Sequence, residues 1–242
     1  MEKKQQLQWQ IDKVVYWGAS LVGDGSMRLG GTDRMGVEQC RRLYFEKVGL
    51  SNTGMVAASL VHGASVHVAT ASDAGKVIAD VDALVTRTPQ LTLSITFADC
   101  LPVYIADSKA RVVAVLHAGW RGLAAGVVMA TVRACTDLVS SKASELEAYI
   151  GPAICAEHYS VGMDVAKTFS HYNGAVRKDK NGGQQLDLIN VAKQQLQASG
   201  LADSSITSAG ICTYETATYF SNRRDKPREI EAQVAYIGLR KQ

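Results

Sequence analysis

Proline is scarce: four residues in 242, at 89, 102, 152 and 227, with no Ser-, Gly- or Pro-rich tract between two halves. A single domain over 1–242 is therefore expected. No apolar run approaches the roughly 18 residues of a membrane helix. The opening MEKKQQLQWQ has no apolar stretch behind its lysines, so neither a membrane span nor a secretory leader is expected. Cysteine occurs only five times, at 40, 100, 135, 155 and 212, without a Cys-x-x-Cys pair. That argues against a disulfide scaffold and for a reducing, cytoplasmic setting. Neither charge dominates: 26 Lys and Arg against 23 Asp and Glu leave a net +3, which gives no basis for general nucleic-acid affinity. No heptad or long apolar helix face demands a partner, so a monomer is expected.

What is present is globular: 47% of residues are apolar and 20% charged, which excludes disordered and fibrous classes. Residues 14–17 read as a strand, and 18–36 as a glycine-rich loop. A helix follows over 37–48, where Val37, Leu43, Tyr44 and Val48 recur at helical spacing and Gly49 stops it. Stretches 55–62 and 64–70 are rich in strand formers and meet at Gly63. Strands are expected at 91–98, 102–106 and 111–117, the last two joined by a hairpin turn at Asp107-Ser108-Lys109. A helix at 122–139, a strand at 147–151, helices at 161–170 and 186–199, and strands near 206–212 and 231–237 complete the reading. Hairpins mixed with helices point to an α+β or mixed α/β fold, a layered sandwich of mixed sheets with flanking helices.

Three metal-capable side chains sit near predicted strand ends: His62 in SLVHG, Cys100 in TFADCLP and His117 in VLHAGWRG. Two imidazoles and a thiolate suit Zn²⁺, and three protein ligands leave a fourth position for water or substrate, as in catalytic zinc sites. Their separations of 38 and 17 residues leave two readings open: convergence on one rim of a sheet, or three unrelated half-buried side chains. Asp99 beside Cys100 suits proton handling, or a plain turn. Arg121, in a glycine-flanked turn before a predicted helix, and Arg28, Arg223 and Arg224 in loops suit phosphate or carboxylate recognition, or a solvated surface. His67, His158 and His171 have no motif around them and read as structural or surface residues. Cys40 and Cys135 read as packing. Nothing local activates Cys155 or Cys212.

Taken together, ADCLPV at 98–103 and HAGWRGL at 117–123, with VHG at 61–63, DALVT at 82–86, GPAI at 151–154, LDL at 186–188, CTYE at 212–215 and FSNRRD at 220–225, resemble the laccase-domain, or polyphenol-oxidase, family. Its bacterial members are described as purine nucleoside phosphorylases. The resemblance implies that His62, Cys100 and His117 hold zinc, and that the activity is phosphorolysis of adenosine, inosine, guanosine and methylthioadenosine plus deamination of adenosine. On this reading Asp99, Cys100 and His62 are the candidate catalytic residues and Arg28, Arg121 and Arg224 the candidate substrate contacts, with a purine nucleoside and phosphate as the expected small-molecule partners.

A His₂Cys set also suits copper, but a multicopper oxidase needs many more imidazoles than the five histidines present. A cysteine hydrolase built on Cys100, an editing hydrolase for cell-wall precursors and a zinc-stabilised binding module are the remaining alternatives. The chain departs from the family pattern at Leu60, where Gln is usual, and at Ser160, where Glu is usual. The segment after SMRLGG at 26–31 is also short, and this last departure is what favours a binding module.

Overall fold

The computed structural model describes residues 14–51, 54–107, 109 and 111–241. In chain order the first elements are β1 (Val15–Ala19), α1 (Arg34–Lys47), β2 (Met55–Ala58), β3 (Val66–Val68), β4 (Val77–Ile78), β5 (Ala83–Thr86) and β6 (Thr92–Phe97). Next come β7 (Leu101–Asp107), β8 (Val113–Ala118), α2 (Trp120–Ala125), α3 (Val127–Val139), β9 (Leu146–Ile150), β10 (Ser160–Val161) and α4 (Met163–Thr168). The chain continues through β11 (Val176–Lys178), β12 (Gln184–Leu186), α5 (Leu188–Ala198), β13 (Ile206–Ser208), α6 (Asn222–Asp225) and β14 (Gln233–Leu239). A five-stranded sheet runs β1-β14-β6-β2-β4, a six-stranded sheet runs β13-β9-β7-β8-β5-β3, and β10-β12-β11 form a small third sheet. Both large sheets mix parallel and antiparallel pairs, so the fold is the mixed α/β sandwich the sequence pattern leads one to expect.

Strand periodicity shows why the layers stack. On β7, Leu101, Val103 and Ile105 face α3 and α5, while Tyr104 and Ala106 face the other sheet. On β8, Ala114 and Leu116 take the helical side, and Val113 and Val115 the inter-sheet side. Because both faces of this sheet are covered, its strands read as continuous apolar runs rather than as alternation. The five-stranded sheet contributes Leu93, Ile95, Phe97, Ala235 and Ile237 to the shared interior. Its outer face carries Met55, Val234 and Tyr236 beneath Tyr44 and Phe45 of α1. Each such fully buried large side chain contributes about 1.5–3 kcal/mol.

Several sequence expectations are corrected. The expected helix 122–139 is two helices, α2 and α3, because Gly126 adopts φ +85° and breaks the hydrogen-bond ladder. The expected helix 161–170 is a two-residue strand followed by α4. Stretches 55–62 and 64–70 shorten to β2 and β3, which belong to different sheets, with 59–65 crossing between them. Asp107 accepts from the backbone N–H groups of Lys109 and Arg111, as a turn former should; Ser108, in the middle of that turn, lies outside the described residues. Among the described residues no helix is long and apolar enough to cross a membrane.

At Gly126 a side chain would both adopt a left-handed conformation and meet Met129 Cε at 3.1 Å. Gly126→Ala is expected to lower stability by about 1–2 kcal/mol in a urea melt. An unchanged midpoint would show that the break between α2 and α3 is not conformationally enforced.

Candidate metal centre

Both large sheets end at one rim, and the chain crosses between them there. The loop 59–65 leaves β2 for β3, and residues 98–100 leave β6 for β7. His117 sits on β8 with the parity of Val113 and Val115, so it faces the inter-sheet space. The ligand atoms of His62, Cys100 and His117 all lie within 4.8 Å of one another, and the two imidazole rings meet edge to face at 5.0 Å. His62 is not at a strand end as expected from the sequence. β2 stops at Ala58, and His62 lies in the crossing loop at φ +60°.

That conformation is rare for a side-chain-bearing residue and persists only when its surroundings impose it. Asp82 imposes it. This fully buried carboxylate accepts from the N–H groups of Val61 at 3.2 Å, His62 at 2.7 Å and Gly63 at 2.6 Å. Its own carbonyl accepts the N–H of His117 at 2.8 Å. Asp82 thus ties two candidate ligands together. Sequence reasoning missed it, although it opens the DALVT motif.

His117 is 4% exposed. Its Nδ1–H donates to the Thr96 carbonyl at 2.9 Å, and its Nε2 is buried with no hydrogen-bond partner among the described residues. A buried acceptor left unpaired costs about 1–3 kcal/mol. Burial pulls the imidazole down to about 4, with the nearby His62 acting in the same direction. The ring is therefore neutral at pH 7, its lone pair aimed at the other two candidates, which is the tautomer a metal ligand requires. Burial pushes the Cys100 thiol up to about 12; Asp99 adds to this and Arg121 opposes it. A thiolate at this place needs a cation. Gly119 keeps the spot open, since a Cβ there would lie 2.7 Å from Cys100 Sγ and 3.8 Å from His62 Cδ2. The donor set, the unpaired nitrogen and this cradle all fit a soft or borderline divalent ion.

The other expected residues divide. Asp99, at φ +81°, is buried and accepts from Thr213 Oγ1 at 2.7 Å and from the Arg223 N–H at 2.7 Å. Arg121 is exposed and lies over the Trp120 ring at 4.5 Å. Arg224 spends its guanidinium on the carbonyls of Thr213, Tyr214 and Tyr219 and on Asp225. Its neighbour Arg223 stacks on Tyr159 at 5.0 Å. Burial pushes the Tyr159 phenol up to about 12, and the charges of Cys100, Arg223, Arg121 and Asp99 also act on it, so these groups share one mouth. Arg28 lines a cleft of about 640 Å³ with Arg34, Arg41 and Lys76, between α1 and the end of β2. Ser59, three residues before His62, borders the same cleft. Arg41 there is 7% exposed and bonds the Met27 carbonyl and Ser94 Oγ, with no carboxylate paired to it among the described residues.

The departures from the family pattern also have places. Leu60 packs against the inter-sheet core. Ser160 offers its carbonyl to Arg223. The short segment after Gly31 becomes a helix start: Asp33 caps α1 through the Gly36 N–H, and Thr32 donates to Glu229. Sequence reasoning also set aside Cys155, His158 and Cys212. With Glu215 they form a second group whose ligand atoms lie within 4.8 Å of one another.

Asp82→Asn replaces an acceptor with an amide N–H facing backbone donors. Stability is expected to fall by about 2–3 kcal/mol, and metal affinity by roughly 10–100-fold, in a melt and a chelator competition on the same sample. Unchanged affinity would show that Asp82 does not position His62.

Comparison with known proteins agrees with this geometry. A family model described as multi-copper polyphenol oxidoreductase laccase matches residues 26–240. A Streptomyces coelicolor protein named purine nucleoside phosphorylase SCO2081 is 35% identical over 213 residues, 86% of this chain and 87% of that protein. A protein from an unknown prokaryotic organism, named adenosine deaminase RL5, is 34% identical over 60% of this chain and 57% of its own length. Matches to several further relatives named purine nucleoside phosphorylase span 56–61% of their length. The crystal structure of YlmD from Geobacillus stearothermophilus superposes with a TM-score of 0.89 at 30% identity, covering 94% of this chain and 92% of that one. The motifs, the shared fold and a match running through nearly the whole described chain place this protein in the laccase-like polyphenol oxidoreductase family.

Proposed function

We propose that the protein is a zinc-dependent enzyme of purine nucleosides, cleaving them with phosphate and deaminating adenosine. The observation that carries this reading is the buried, unpaired Nε2 of His117 facing His62 and Cys100. A divalent ion bound by these three would supply an activated oxygen nucleophile and a Lewis acid. The names of the relatives, purine nucleoside phosphorylase and adenosine deaminase, support the substrate class.

The chain's own residues divide the remaining work. Arg121, its guanidinium 4.5 Å from the Trp120 ring centre and near Cys100, offers donors to an anion. The basic cleft with Arg28, Arg34, Arg41 and Lys76 has the volume to enclose a nucleoside and carries charge suited to phosphate. Holding both reactants together supplies much of the rate. Asp99, with both oxygens already accepting hydrogen bonds, fits the positioning of Cys100 better than proton transfer. Arg224, turned onto its own loop, fits a brace, and Arg223 is the arginine at the mouth.

The family's description names several coppers, but the histidines here do not supply such a cluster. Two of the five lie at the centre, His67 is paired with Asp73 at 3.2 Å, His158 stands in the second group and His171 packs on Tyr172.

Incubation with adenosine and phosphate is expected to yield adenine with ribose 1-phosphate, and inosine with ammonia, resolved by chromatography. Cys100→Ala is expected to lower kcat/KM by at least about 10²-fold, the loss of about 3 kcal/mol of transition-state stabilisation, and to remove one zinc per chain. Absence of product at stoichiometric enzyme would overturn the reading.

A further inference from the structure

Behind Asp99 lies a second constellation that the proposed reaction does not use. Cys155 and His158 are three residues apart, and so are Cys212 and Glu215. Each pair can chelate from one short loop. The two loops are zipped together by backbone hydrogen bonds, Ala153 N–H to the Ile211 carbonyl and Thr213 N–H to the Ala153 carbonyl. In consequence Cys155 Sγ lies 3.1 Å, Cys212 Sγ 3.8 Å and Glu215 Oε1 3.5 Å from His158 Nδ1.

Tetrahedral zinc, with bonds of about 2.3 Å to sulfur and about 2.0–2.2 Å to nitrogen and oxygen, sets S···N edges near 3.6 Å and N···O edges near 3.4 Å. All three distances lie within about 0.5 Å of those edges. Other features support the arrangement. The Cys155 N–H points at Cys212 Sγ at 3.3 Å, the contact that stabilises a coordinating thiolate. The His158 ring is stacked on Tyr214 at 4.3 Å and 11°, which fixes its plane. Glu157 lies near Cys155 and is paired with Arg177 at 3.6 Å.

We infer that Cys155, His158, Cys212 and Glu215 form a second, structural site for a thiophilic divalent cation, zinc by donor chemistry. Two thiolates and one imidazole select against calcium and magnesium, and four protein ligands leave no open position for a substrate. The ion clamps the loops around 155 and 212. Those loops hold Asp99 through the Ile154 N–H on its carbonyl and Thr213 on its carboxylate, so the clamp supports the residue next to Cys100.

The test counts metal. Full-length protein, kept reduced, is stripped with a chelator, saturated with Zn²⁺, desalted and analysed by mass spectrometry. Whatever the first centre holds, Cys212→Ser is expected to hold one zinc fewer than the wild type, and Cys100→Ala to retain the ion at the second site. Glu215→Gln alters an exposed side chain and is expected to fold normally, with the second ion weakened by at least the roughly 10–100-fold that loss of a supporting partner costs. Should Cys212→Ser fail to fold, alkylation of the wild type replaces it. Zinc is expected to protect Cys155 and Cys212, read by peptide mapping. Equal zinc content in wild type and Cys212→Ser, or equal alkylation of both thiols with and without zinc, would overturn the inference.

Discussion

One buried carboxylate holds the rim together. Among the described residues Asp82 has no positive side chain as a hydrogen-bond partner; three consecutive backbone N–H groups hold its carboxylate. Those bonds force the left-handed turn at His62, while the carbonyl of the same residue fixes His117. Two candidate ligands from different elements are thus referenced to one residue, Asp82, immediately before β5. The strain at His62, of order 1–3 kcal/mol, is sustained by charge-assisted hydrogen bonds worth about as much.

The same logic governs the other half of the centre. Cys100 follows Asp99, another positive-φ residue, whose conformation is imposed by Thr213 and Arg223. The centre therefore sits on two short strained crossings and one strand, not on three strand ends. Short crossings between packed sheets bring distant residues close at little entropic cost, and the sandwich beneath supplies rigidity. Arg224 contributes by binding its own loop's carbonyls, which keeps the 213–225 segment against Asp99.

Legibility in the sequence followed periodicity and residue chemistry. The buried strands β6, β7 and β8 were readable because their apolar runs are long and bounded. Strand β5, though within DALVT, and the small third sheet were not, because two to four residues give no period to detect. Gly126 falls inside the stretch 122–139 whose composition predicts one helix; only its left-handed angle shows the break. His62, Cys100 and His117 stood out as residue types, but spacing left their convergence undecided. Asp82 was invisible for another reason: its partners are backbone atoms, which no side-chain pattern reveals. The pairing of Cys155 with His158 and of Cys212 with Glu215 did leave a signal, two chelating pairs each three apart. Either cysteine taken alone carries no such signal.

The order of strands in the five-stranded sheet makes the centre depend on a strand far from it in sequence. β14 lies between β1 and β6, and β6 carries the Thr96 carbonyl that orients His117. All three candidate ligands lie between residues 62 and 117, yet β14, at 233–239, completes the pairing of the strand that orients one of them. Thr96 stands opposite Val234 in that pairing, so the docking of β14 onto β6 secures the carbonyl that holds the His117 ring. Without β14 one long side of β6 would stand unpaired, and the buried imidazole would lose part of the frame that aligns it.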